Sequence, residues 1–169
     1  PIISQLTDKA LDAALFLRDI RMPNGSLPLF NDAAHNIAPD PDILLNYAVT
    51  VLETDVFDTA VYFERNALDS SGYYRLGDRR SCLIVDCGET GPRYQPGHTH
   101  CDTLSYELAI DEIPVVVDTG THDYEPGHRR RYDRSTAAHN TVVVNGQEQS
   151  EVWGLFRVAR RAAPLTAVL

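Results

Sequence analysis

Residues 97–108 read GHTHCDTLSYEL, a histidine pair that runs directly into an alternating stretch. A β-strand turns every second side chain to one face. In extended geometry His98, His100 and Asp102 are therefore in step, and Leu104, Tyr106 and Leu108 form the inner face of the strand that follows. Short runs of the same kind continue along the chain: GYYRLGD, RSCLIVDCG, IPVVVDTG and HNTVVVNGQEQSEVW. They are β-rich, split by turn residues, and have no helical pattern between them. Asp78 to Arg80 and Asp111-Glu112 read as hairpin connections, and Asn145-Gly146 is the strongest hairpin signal. From Ser71 onward the pattern predicts an antiparallel sandwich or open sheet.

Before that point the period is helical. ISQLTDKALDAALFLRDI places Leu6, Ala10, Ala14 and Leu17 on one face, with Leu11, Leu15 and Ile20 beside them, and Ser4 or Thr7 as its cap. Residues 22–42, rich in Pro, Gly, Asn and Asp, predict a long loop. A second helix opens after Asp40 with Pro41 at its first position, and a third, short one spans Asp58 to Arg65. The change of period places a boundary near residues 66–72, with a helical unit over 1–68 and a sheet unit over 69–169.

The 169 residues suffice for one full domain or two small pieces. No segment reaches the roughly 20 apolar residues that cross a membrane. A net charge of −9 argues against sequence-independent nucleic-acid binding, which needs a basic footprint. Three cysteines, an odd number without a C-x-x-C spacing, indicate neither a disulfide framework nor a zinc knuckle. The chain begins at Pro1 and ends on an apolar run, and it reads as an internal piece of a longer protein.

Chemistry concentrates at predicted strand ends. His98 and His100 precede one strand, Asp118 closes the next, and His139 opens another. Antiparallel neighbours bring such ends to one rim, where His100, Asp118 and His139 form a ligand set suited to zinc. His139 alone would more often be a packed or capping residue. The connection from Asp118 to His139 is longer than structure alone needs, and it bears Tyr124 and Tyr132. A tyrosine there is a candidate proton donor, against the commoner role of rim packing. The run GHRRRYDR, with Arg129, Arg130, Arg131 and Arg134, is either a solvated loop or a patch for an acidic substrate.

GHTHCDTLSYEL, VVVDTGTHDY, RSTAAHNTVVVNGQEQSEVW and FRVARRA together resemble, in order and spacing, the heparinase II/III-like polysaccharide lyases. The likeness is dense from about Tyr73 to Ala162. It implies an α+β piece: the tail of an α/α toroid followed by an antiparallel β-sandwich. It implies β-elimination on an acidic, uronic-acid-containing polysaccharide in the periplasm or outside the cell. Carried over residue by residue, His98 lines the catalytic cleft, and His100, Asp118 and His139 hold a zinc ion that organises the rim. Tyr124 lies near the position of a catalytic tyrosine, with Tyr132 as second choice, and Tyr132 and Arg134 are candidate substrate contacts. The family's upstream tyrosine base and its carboxylate-neutralising Asn or His match nothing before residue 70. Two other classes compete: a non-catalytic carbohydrate-binding or structural sandwich that keeps the metal, and a metal-dependent hydrolase.

Overall fold

The computed structural model describes residues 2–57, 65–68, 71–78 and 80–165. Helix α1 (Ile2–Asp19) packs against α2 (Pro41–Leu52) around Ala14, Leu45 and Val56. Asp40 caps α2, its carboxylate accepting from the Asp42 amide at 2.8 Å, and Pro41 occupies the first turn, where no amide donor is needed. α1 starts earlier than its expected caps. Thr7 lies inside it and donates its hydroxyl back to the Ile3 carbonyl, while Leu6 stays exposed. The expected helix over Asp58 to Arg65 falls on residues outside the described set, apart from Arg65 itself, which begins a strand.

Five strands form one antiparallel meander in the order β1 (Arg65–Leu68), β2 (Tyr73–Gly77), β3 (Ser81–Asp86), β4 (Tyr106–Ile110), β5 (Ile113–Val116). The β4–β5 hairpin turns through Asp111 and Glu112, both with positive φ, and the Asp111 carboxylate is held by Arg80. A second, two-stranded sheet pairs β6 (Val152–Trp153) with β7 (Arg157–Val158). In place of a strand opening at His139, the chain makes a short helix α3 (His128–Asp133), a 3₁₀ turn (Thr136–Ala138) that ends at His139, and one isolated bridge, Val144 to Gln147. The Asn145-Gly146 turn forms, both residues having positive φ, but beyond the Val144 bridge no ladder extends from it among the described residues, and Val142, Val143 and Val144 stay exposed. No described helix is long and apolar enough to cross a membrane.

One face of the sheet is covered by the segment that follows α1. Ile20, Met22 and Phe30 bury against Cys82, Ile84 and Ala109, and Phe30 stacks on Tyr73 with ring centroids 5.6 Å apart. This cover reverses the phase expected for β4. Glu107 and Ala109 turn to the buried face, whereas Leu104 and Tyr106 are exposed. Glu107 is tolerated there because its carboxylate accepts the amides of Leu29 (2.5 Å) and Asp118 (3.3 Å). All three cysteines are free thiols.

Candidate active site and metal centre

The long loop between the two helices does more than connect them. Residues 29–33 lie across the rim of the sheet, fixed by the Leu29 amide on Glu107, the Asn31 amide on Asp102 (2.8 Å) and the Thr121 amide on the Ala33 carbonyl (3.0 Å). Gly120 makes this seating possible. Its φ is +58°, and a Cβ there would stand 2.3 Å from the Ala33 carbonyl oxygen.

So placed, Asp32 becomes the centre of the site. Its Oδ2 meets His98 Nδ1 at 2.9 Å and its Oδ1 meets His100 Nε2 at 2.7 Å. Arg130 grips the same carboxylate bidentately, Nη1 on Oδ1 and Nη2 on Oδ2. Burial alone would raise the Asp32 pKa, but hydrogen bonds from His100, Arg130 and His98 outweigh it and hold the carboxyl well below the usual range. Asp32 is therefore a pure acceptor, and each histidine must present a proton to it. His98 keeps Nε2 free on a side chain that is 63% exposed, beside Tyr124 (hydroxyl 3.3 Å from Nδ1) and Phe156.

His139 obeys the same logic. Its Nδ1 lies 2.9 and 3.0 Å from the two oxygens of Asp118, which also accepts from Ser105 and from the Gly120 amide. Burial lowers the His139 pKa, but the bond and charge of Asp118 more than offset that and raise it. His100 goes the other way: burial outweighs its contacts with Asp32 and lowers its pKa. The nitrogens left over, His100 Nδ1 and His139 Nε2, are buried and lack a hydrogen-bond partner among the described residues. One ligand atom from each of His100, Asp102 and His139 lies within 4.8 Å of the others.

This donor set fits a divalent cation. Two buried imidazole nitrogens without a hydrogen-bond partner and a carboxylate suit zinc, and each ring has its far nitrogen on a carboxylate, as metal-bound histidines do. Asp86, Asp102, Glu107 and Asp118 are also buried beneath the rim, and burial with mutual repulsion pushes Asp86 up to about 7. A cation would relieve that crowding. The carboxylate in the cluster differs from the expected one, since Asp118 stands behind His139 and Asp102 faces the gap.

The structure thus brings together His98, His100, Asp118, His139 and Tyr124. Arg134 does not join them. It is 1% exposed and donates to the carbonyls of Thr99 (3.0 Å) and Gly154 (3.2 Å), so it braces loops instead of meeting a substrate. Tyr132 is exposed on α3, with no described side-chain contact to the group. Sequence reasoning passed over Asp32, and it met Arg130 only as one of a run of arginines, a solvated loop or a patch for an acidic substrate, where the structure makes it the partner of Asp32. The signal for Asp32 was the length of its loop, the same criterion that singled out residues 118–139.

Residues 63–168 match the heparinase II/III-like C-terminal domain, and the chain belongs to that family. Its backbone is similar to that of heparinase III, with a TM-score of 0.69 and 18% identity over 95% of this chain and 28% of that one. It is similar also to the heparan sulfate lyase HepC from Pedobacter heparinus, with a TM-score of 0.60 and 20% identity over 81% of this chain and 25% of that one. The chain spans about a quarter of the length of these proteins. Comparison with the curated proteins finds no match.

Proposed function

We propose that the chain forms one wall of the active cleft of a polysaccharide lyase, with the helices as the end of a toroid and the sheet as the start of a β-sandwich. The observation that supports this best is the division of labour at the rim. An exposed histidine, His98, turns Nδ1 to Asp32 and leaves Nε2 outward with a tyrosine hydroxyl beside the ring, while His100 and His139 form a buried pair. A groove of about 890 Å³ opens at His98 and is lined by Asn31, Tyr73, Tyr94 and Gln95, room enough for saccharide units.

In β-elimination on a uronate, a base removes the C5 proton, the C4–O4 bond breaks, a C4=C5 double bond forms, and O4 leaves with a proton. In this reading His98 Nε2 exchanges a proton with the substrate, and the Tyr124 hydroxyl is the second proton-transfer group on this side. Burial raises the Tyr124 pKa, as do the charge of Asp32 and a hydrogen bond to it, which keeps the hydroxyl protonated as a donor must be. Zinc, when bound, would supply a fixed positive charge that orders the rim, held by His100, His139 and Asp102. Asp118 is the carboxylate that the family resemblance puts on the metal. Asp102→Asn and Asp118→Asn, compared for zinc affinity, separate a direct ligand from one acting through His139.

The test is to incubate the intact protein with heparan sulfate, hyaluronan and alginate and to follow ultraviolet absorbance of the unsaturated uronate. His98→Ala is expected to abolish turnover and keep the metal, and His100→Ala to lose the metal. Saturated reducing ends without the absorbance would replace elimination with hydrolysis. No cleavage of any polymer would favour a non-catalytic sandwich.

A further inference from the structure

A histidine near neutral pH can place its single proton on either nitrogen, and whichever nitrogen donates a hydrogen bond leaves the other as the lone pair. In water the Nε2–H form is the commoner one. His98 is exposed, so nothing in its own exposure would select the rarer Nδ1–H form that proton abstraction through Nε2 requires. His100, two residues on, needs the opposite form, with its proton on Nε2 and its lone pair on Nδ1 toward the buried cluster. Adjacent histidines in one loop must therefore hold opposite tautomers.

We propose that Asp32 is the positioning residue that imposes both tautomers at once, coupling the proton-transfer histidine to the metal-type cluster through one carboxylate. The proposal rests on the reading of His98 as a proton-transfer group. Its two oxygens are divided between the rings, Oδ2 for His98 Nδ1 and Oδ1 for His100 Nε2. Arg130 holds both oxygens in that orientation, and Arg130 is fixed in turn by the Thr121 hydroxyl (2.8 Å) and the Leu155 carbonyl (3.3 Å). Asp32 and Arg130 are both buried, so neither is available to bind substrate. Nearest in space, Arg130 Nη1 lies 3.3 Å from His100 Nε2. Both atoms lie within hydrogen-bond distance of Oδ1, so a carboxylate that can only accept favours a proton on His100 Nε2.

The experiment reads the imidazole nitrogens directly. In the intact protein labelled with ¹⁵N-histidine, with His98→Gln used to assign the resonances, His98 should carry its proton on Nδ1 and His100 on Nε2. Asp32→Asn should return His98 to a mixture dominated by Nε2–H. The same variant should lower kcat 10- to 100-fold with KM changed less than about threefold. Zinc affinity, measured against a competing chromophoric chelator, should fall 10- to 100-fold. If the asparagine variant fails to fold because Arg130 is left without its counter-ion, Asp32→Asn combined with Arg130→Gln removes both buried charges, and the same shifts are expected of it. A wild-type His98 protonated on Nε2 overturns the proposal outright, whatever the variants do. So does a folded variant with wild-type tautomers, kcat and zinc affinity. Absence of lyase activity in the wild type would remove the reading of His98 as a proton-transfer group, while the spectra and the zinc affinity would still decide the role of Asp32.

Discussion

Individual residues at this rim are constrained by neighbours far away in the chain. Gly120 illustrates the point. The demand on it comes from Ala33, 87 positions earlier, whose carbonyl oxygen occupies the space of a Cβ. Gly120→Ala would combine a left-handed backbone, which costs about 1–2 kcal/mol for a residue with a Cβ, with a collision against main chain that cannot swing aside. We expect a loss of about 3 kcal/mol in urea unfolding, and lost zinc affinity because the displaced segment contains Asp32. Unchanged stability in that variant would mean that residues 29–33 are not seated on the rim. Asp32 could not be singled out within its long loop for the same reason. In the sequence it is one acid in a loop full of turn formers, and only the fold brings it to histidines 66 and 68 residues away.

At the scale of elements, the period of the hydrophobic pattern read well and its phase did not. The runs that became β2, β3, β4 and β5 were visible as alternating segments, and α2 was visible from its Asp-Pro start. The buried face of β4 was read backwards, because a sheet apolar on both sides gives no indication of which side its own chain covers. The arginine run shows a similar limit. As a string of charges it looks solvated, but once it coils into α3 the positions four apart share a face, and Arg130 and Arg134 turn inward together. The outward arginines should then be dispensable. Arg131→Ala should change stability by less than about 0.5 kcal/mol, whereas Arg134→Met should cost about 2 kcal/mol by leaving the Thr99 and Gly154 carbonyls without their donor. Thermal melts of the two variants side by side check this, and equal melting temperatures would contradict the bracing role.

Across the whole molecule, the two halves that differ in sequence period are not independent bodies. Ile20, Met22 and Phe30 complete the core under the sheet, and Asp32 completes the site above its rim. The opposite face of the sheet exposes Tyr106, Ile110 and Ile113, the apolar side chains that a second sandwich layer would cover. The same incompleteness governs the chemistry. Elimination needs a base at C5, a group that neutralises the uronate carboxylate and an acid at O4, all within about 3 Å of their targets. In the proposed reading His98 and Tyr124 supply proton transfer, but Arg130, 5.0 Å from the Tyr124 ring, is buried and committed to Asp32. Without neutralisation the C5 proton of a uronate is too weakly acidic to remove. A cleft with one wall also stays wet, which weakens each electrostatic contact in it. The chain of 169 residues is therefore expected to bind zinc yet form no unsaturated product from heparan sulfate, hyaluronan, alginate or bacterial exopolysaccharide, under conditions where the intact protein does. Turnover by the isolated chain, abolished by His98→Ala, would show that the neutralising group lies within these residues after all.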